Sequence, residues 1–122
     1  MALLFITHDL GVVAALADTV IVMYAGQIVE VSNVYDLYAN PRHPYTKGLL
    51  AAIPTLEDTM QPLVAILGSP PACGTTQGRC AFYERCIESN ALCSQSEPPL
   101  IRIGSQKTNS SKFVRCLKEV NQ

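Results

Sequence analysis

The chain has 122 residues, with nine Lys+Arg, ten Asp+Glu, two His, five Cys, eight Pro and no Trp. That is enough for one modest domain, which buries roughly two-thirds of its unfolded-chain surface. A net charge of −1 gives no electrostatic footprint for nucleic acid, and a mean hydropathy of +0.19 with 16% charged residues is not a disordered composition. No apolar run approaches the ~18 residues of a membrane span, and no basic stretch leads into a small-residue cleavage site, so secretion is not expected.

The averages hide two unlike halves. Residues 1–31 hold 22 apolar residues and three acids (Asp9, Asp18, Glu30), without a Lys, Arg, Pro or Cys. All prolines and cysteines follow Asn40, and from Cys73 onward seven Lys+Arg face four Glu. So apolar an opening must be wrapped by other protein. Ala2–Ile6 is a continuous apolar run, expected to be a strand covered on both faces. Asp9 can cap a short helix to Ala17, with Leu10, Val13, Ala14 and Ala17 on one face. Thr19–Tyr24 reads as a buried strand, turned at Ala25-Gly26 into its hairpin partner Gln27–Val31. Ser32 can cap a helix carrying Val34, Leu37 and Tyr38, which Pro41 ends. Pro44 suits a first helical turn, and Tyr45, Leu49 and Ile53 line one face before Pro54. Beyond it lie short strand candidates at Leu63–Leu67, Leu100–Ile103 and Lys112–Leu117, with a polar stretch over Ser105–Ser111. A strand, helix and hairpin that begin inside an apolar core predict the last part of a larger α/β domain followed by a separate small extension.

His8 ends the first apolar run, and in open α/β sheets ligands gather at the carboxyl ends of strands. A neutral imidazole there can donate to a phosphate oxygen. Leu4–Ala14 (LFITHDLGVVA) and Ala17–Glu30 (ADTVIVMYAGQIVE) resemble the end of an ABC-transporter nucleotide-binding domain, with His8 matching the switch histidine. Tyr38–Pro54, built around His43-Pro44-Tyr45, and Gly68-Ser-Pro-Pro71 resemble the C-terminal extension of the oligopeptide/dipeptide importer ATPases. The resemblance implies an α/β fold in which residues 1–40 are the C-terminal piece of the ATPase core and residues 41–122 a loop-rich, Cys-containing extension. It implies that His8 contacts the γ-phosphate of ATP, held with Mg²⁺ in the full-length protein, as the catalytic and nucleotide-binding residue. His43, Pro44 and Tyr45 carry over as a structural signature. The sequence contains no glycine-rich phosphate loop, Walker B carboxylate or signature loop, the parts that cradle phosphate and hold the metal, so this chain alone is expected to bind ATP negligibly and hydrolyse none.

The cysteines run Cys73-x6-Cys80-x5-Cys86-x6-Cys93-x22-Cys116. Without an export signal such density points to a metal centre rather than disulfides. Four thiolates suit Zn²⁺ or an iron–sulfur cluster, and gaps longer than the two-to-four-residue zinc knuckle favour the cluster. The importer resemblance assigns Cys80, Cys86, Cys93 and Cys116 to a [4Fe–4S] cluster, as in some members, with Zn²⁺ as the alternative and Cys73 spare. Arg79, Arg85 and Arg115 adjoin these positions, where their charge would favour thiolates. With few large apolar residues after Cys73, a structural role for the metal follows, since binding adds on the order of 10 kcal/mol to folding.

Two functions are thereby expected in competition. One is part of a peptide importer's ATPase subunit, peripheral on the cytoplasmic face of the membrane, paired with a second ATPase subunit and transmembrane permease subunits. The other is a stand-alone metal-binding or redox-regulatory module without enzymatic activity. In either case the apolar runs 2–6 and 19–24 are expected to drive self-association.

Overall fold

The structure, a computed structural model, describes residues 1–54, 65–72, 74–104 and 111–120. Asp9 starts helix α1 (Leu10–Leu16), its carboxylate accepting from the backbone N–H groups of Gly11 and Val12. Strands β1 (Thr19–Tyr24) and β2 (Gln27–Asn33) form an antiparallel hairpin. Its two-residue turn places both Ala25 (φ 49°) and Gly26 (φ 77°) in the left-handed region, the conformation that matches the twist of the flanking strands. Helices α2 (Val34–Ala39) and α3 (Pro44–Ala51) follow.

Beyond them come 3₁₀ turns at Tyr83–Arg85 and Ala91–Ser94, strands β3 (Ile101–Ile103) and β4 (Lys112–Val114), and helix α4 (Leu117–Val120). The four strands make one antiparallel sheet in the order β1-β2-β4-β3. Glu30 opposes Val114 and Val31 opposes Phe113, while Ile101 opposes Val114 on the other side. The sheet therefore spans the division expected near residue 40.

Register decides what is buried. Val22 opposes Glu30 but Met23 opposes Ile28, so Val29 is an extra residue on β2. Such a bulge re-aims the side chains beside it, and Val29 and Glu30 are buried consecutively. The covered face carries Val20, Val22, Tyr24 and Val29, which form the core with Val34 and Leu37 of the α2 side and with Phe82. Gly48 of α3 lies so close to Ile66 that a Cβ would sit 2.7 Å from its side chain, so a larger residue there would have to displace Ile66.

Three expectations require correction. Ala2–Ile6 forms no strand and is exposed, with Leu4 at 84% and Ile6 at 90% of their full surface, because no described element lies over it. β1 is buried on one face only, alternating with exposed Thr19, Ile21 and Met23. Asn33, not Ser32, caps α2, accepting from the Asp36 N–H; Ser32 still pairs with Val20 inside the hairpin. The candidate strand at Leu63–Leu67 and the polar stretch after Gly104 lie wholly or partly outside the described residues.

Glu30 is fully buried, and its two carboxylate oxygens accept from the backbone N–H groups of Arg42 and His43, each at 2.9 Å. Lys112, 7% exposed at its side chain, sits 3.7 Å from Glu30 and 3.3 Å from Asp36, and donates to the Asn40 carbonyl at 2.6 Å. Breaking a buried ion pair strands the remaining charge. Glu30→Gln is therefore expected to lower stability by about 3 kcal/mol in urea unfolding. Lys112→Met added to that variant should recover part of the loss, giving a favourable coupling in the double-mutant cycle.

Candidate functional site

His43 stands at the N-terminus of α3, just ahead of Pro44, whose fixed φ and missing N–H suit the first helical position. The ring Nδ1 accepts from the Tyr45 N–H at 3.0 Å and so caps the helix. With Nδ1 accepting, the neutral ring carries its proton on Nε2, and the Arg115 backbone acts on the ring to favour its charged form. The ring is 2% exposed. Burial is the main cause that lowers its pKa to about 4, with the Lys47 charge adding and the Arg115 hydrogen bond and Glu88 opposing.

Around this ring the aromatics interlock. Tyr24 meets Tyr45 at 4.7 Å and Phe82 at 5.1 Å, and Phe82 also meets Tyr45 at 5.5 Å and His43 at 5.8 Å. These are offset and edge-on contacts favoured by ring quadrupoles. The His-Pro-Tyr run thus reaches from the hairpin to Phe82, which stands between Cys80 and Cys86 in sequence.

Beside Phe82 the structure brings four expected ligands together. Cys80, Cys86, Cys93 and Cys116 are all free, and all line one nearly closed hollow of about 10 Å³, together with His43 and Phe82. That space is about the least a single water occupies. Local backbone bonds place them. The Cys80 N–H donates to the Cys93 carbonyl at 2.9 Å, and the 3₁₀ turn over Tyr83–Arg85 brings Cys86 back beneath Cys80. Asn90 accepts from the Leu92 and Cys93 N–H groups, and Cys116 leads directly into α4. Cys73 lies outside the described residues.

The electrostatics of the hollow differ from expectation. Burial pushes the thiols of Cys80 and Cys116 up and that of Cys86 up to about 11, and neighbouring sulfurs add to the rise. The three arginines do not counter this, because their guanidinium groups are engaged elsewhere. Arg79 pairs with Glu84 at 3.0 Å. Arg85 donates to the Leu67 and Ile66 carbonyls and to the Tyr24 hydroxyl, lying 5.8 Å over that ring. Arg115 donates to the Ile28 and Pro98 carbonyls. Arg85 and Arg115 thereby fasten loops to the hairpin, while Arg79 braces its own loop through Glu84. Among the described residues, no group of three or more His, Cys, Asp or Glu side chains is arranged to hold a metal ion.

His8 lies elsewhere. It is exposed just ahead of α1, without the strand expected behind it, and it is not among the residues lining the thiol hollow. Around the hollow, Glu88 bridges Lys47 of α3 at 3.1 Å and Lys118 of α4 at 3.3 Å, while Arg42 clasps Glu119 of α4 through two nitrogens at 3.1 and 2.6 Å. The buried Glu30 and Lys112 escaped the sequence reading. The available signal was a lone carboxylate in the apolar run Ile28–Val31.

Comparison with known proteins agrees with the His-Pro-Tyr geometry. Residues 29–93 match the family model for the C-terminal region of oligopeptide/dipeptide transporters. The chain belongs to this transporter family. It is 44% identical over 115 residues to the oligopeptide transport ATP-binding protein AppD of Bacillus subtilis, covering 94% of this chain and 34% of that protein. OppD of the same organism, another oligopeptide transport ATP-binding protein, is 48% identical over 103 residues, covering 84% of this chain and 29% of its own length. The dipeptide transport ATP-binding protein DppD of Haemophilus influenzae is 38% identical over 122 residues, covering all of this chain and 35% of that protein. The chain thus spans about a third of the length of these relatives. The family segment begins inside β2, contains the whole His43–Phe82 contact, and ends at Cys93.

The ring at position 43 yields a pH prediction. Its pKa is lower folded (about 4) than unfolded (about 6.5), so between these values the unfolded chain binds the extra proton. Stability conferred by the neutral ring is present above pH 6.5 and lost as pH falls toward 4. The loss is expected to be roughly 3 kcal/mol. Urea unfolding followed by circular dichroism at several pH values should show this slope, and His43→Phe should remove it while costing about 1 kcal/mol at neutral pH for the lost cap.

Proposed function

We propose that this chain acts within the ATP-binding subunit of an ABC peptide importer, where residues 1–40 belong to the ATPase core and residues 41–122 to its C-terminal extension. The observation that carries this reading is the family match over residues 29–93, supported by relatives named as oligopeptide and dipeptide transport ATP-binding proteins. In this role His8 contacts the terminal phosphate of ATP, whose Mg²⁺ and phosphate cradle come from sequence this chain does not contain. Transmembrane permease subunits and a second ATPase subunit are its partners on the inner face of the cell membrane. No described helix is long and apolar enough to cross a membrane. The exposure of His8 ahead of α1 suits a residue that meets a ligand held by another surface.

The thiol hollow is the proposed seat of the [4Fe–4S] cluster, held by Cys80, Cys86, Cys93 and Cys116. Four soft donors lining one water-poor hollow suit iron–sulfur chemistry, with Zn²⁺ as the alternative for the same thiols. Such a group supplies a redox-sensitive cross-link when bound. The chain's own part is to surrender the thiol protons that burial holds in place, to keep water out with Phe82, and to anchor Cys116 through the Arg115 backbone contact to His43.

Uptake of a labelled di- or oligopeptide by cells carrying the gene tests the reading. Disruption of the gene is expected to abolish uptake, wild type to restore it, and His8→Ala to leave it at least tenfold lower. Full uptake in the disrupted strain would overturn the proposal. In the same protein purified anaerobically, iron and acid-labile sulfide are expected, whereas zinc at one equivalent without sulfide removes the cluster from it.

A further inference from the structure

Three of the four thiols in the hollow are built one way and the fourth another. Cys80, Cys86 and Cys116 each open a tight turn, their carbonyls accepting from the N–H groups three residues on: Tyr83 at 3.1 Å, Ser89 at 3.3 Å and Glu119 at 3.1 Å. A short polar side chain that opens such a turn lies beside the N–H groups that follow it, as a helix cap does. Those groups act on the sulfurs as donors that favour the thiolate. Phe82 and Tyr83 do so on Cys80, Glu88 on Cys86, and Lys118 and Glu119 on Cys116, each partly offsetting the rise that burial causes.

Cys93 stands at the far end of its turn. Asn90 opens it, its carbonyl accepting from the Cys93 N–H at 3.1 Å and its side-chain oxygen from the N–H groups of Leu92 at 3.0 Å and Cys93 at 3.3 Å. The Cys93 Sγ donates its own proton to that same Asn90 oxygen at 3.4 Å. Its sulfur is thus a donor to oxygen, where the other three are acceptors from nitrogen.

We propose that the hollow is a three-plus-one site, in which Cys80, Cys86 and Cys116 are the committed ligands and Cys93, latched by Asn90, is the exchangeable fourth. This inequality among the ligands rests on the cluster reading above. Ligation through Cys93 breaks the S–H···O bond, and the sulfur that has lost its proton then faces an oxygen lone pair. The Asn90 oxygen cannot turn away without giving up the two N–H groups that it caps. Groups around a ligand, and hydrogen bonds to its sulfur, set how firmly it is held. Cys93 therefore marks the corner that a small external thiol can take. Asn90 is a positioning residue, acting on the centre through Cys93.

The test uses the full chain reconstituted anaerobically with ferrous iron and sulfide in the presence of 2-mercaptoethanol, reading iron per chain, visible absorption and the rate of iron transfer to a chelator. Cys93→Ala is expected to keep most of the wild-type iron, while Cys80→Ala, Cys86→Ala and Cys116→Ala each lose about tenfold or more. Asn90→Asp keeps the cap, since aspartate serves there as well as asparagine, but sets a negative charge beside the sulfur. It is expected to speed iron transfer about tenfold with the far-ultraviolet circular dichroism unchanged, and to have no effect in a chain already carrying Cys93→Ala. Wild type that takes up no iron overturns the cluster reading and the inequality with it. Iron-bearing wild type whose four alanine variants lose iron alike overturns the inequality alone and leaves the cluster standing. Should Cys93→Ala fail to fold, Asn90→Asp decides, because it keeps all four thiols. Iron transfer from it as slow as from wild type refutes the latch.

Discussion

The two hydrogen bonds that the Glu30 carboxylate accepts from the Arg42 and His43 N–H groups hold the rest of the molecule in place. They fix the start of α3 against the middle of the sheet, and fixing α3 fixes the His43 ring, whose edge then reaches Phe82 on one side and the Arg115 backbone on the other. A carboxylate with no exposure is costly unless every lone pair is met. Here two backbone donors and the Lys112 ammonium meet it. The sheet, the helix and the thiol-bearing loops are thereby tied through polar contacts rather than through a large apolar core, which this short, proline-rich second half does not supply.

The bulge in β2 is what makes that carboxylate available. Without the extra residue at Val29, the strict alternation of β2 would bury either Val29 or Glu30 but not both. With both turned inward, Val29 joins the core while its carbonyl accepts from the Arg115 N–H at 2.8 Å. Arg115 then adds side-chain bonds to the Ile28 and Pro98 carbonyls. One local irregularity thus serves the core, the buried ion pair and the docking of the segment that carries Cys116.

Much of the local structure was legible because its causes are local. Asp9 before a periodic apolar run gives α1, Ala25-Gly26 between two β-rich runs gives the hairpin, and Pro44 gives the start of α3. The cap of α2 was displaced by one residue, since Ser32 and Asn33 are both competent and only the continuation of β2 through Asn33 decides between them. The pairing of Glu30 with Val114 joins residues more than eighty positions apart, and nothing in composition or spacing specifies such a partner. The family resemblance named the four thiols that line the hollow, but not what surrounds them. Adjacency to a cysteine placed Arg79, Arg85 and Arg115 near sulfur in the sequence, whereas the turns carrying them aim their guanidinium groups at carbonyls and at Glu84. The apolarity of Ala2–Ile6 predicted a covered strand, whereas the run is exposed and forms none.

The two halves of the chain therefore differ in what they leave open. Around Glu30, His43 and Arg115 nearly every polar group has a partner, and change there disrupts several contacts at once, as expected of a cooperative polar network. The first 24 residues are the reverse. Their polar groups are few, and although Val20, Val22 and Tyr24 join the core, Leu3, Leu4, Phe5, Ile6, Ile21 and Met23 are left largely in water, where each forgoes part of the about 1.5–3 kcal/mol that full burial gives. The half with its polar groups already paired supplies a rigid platform, and the apolar half carries the large side chains that this platform leaves uncovered.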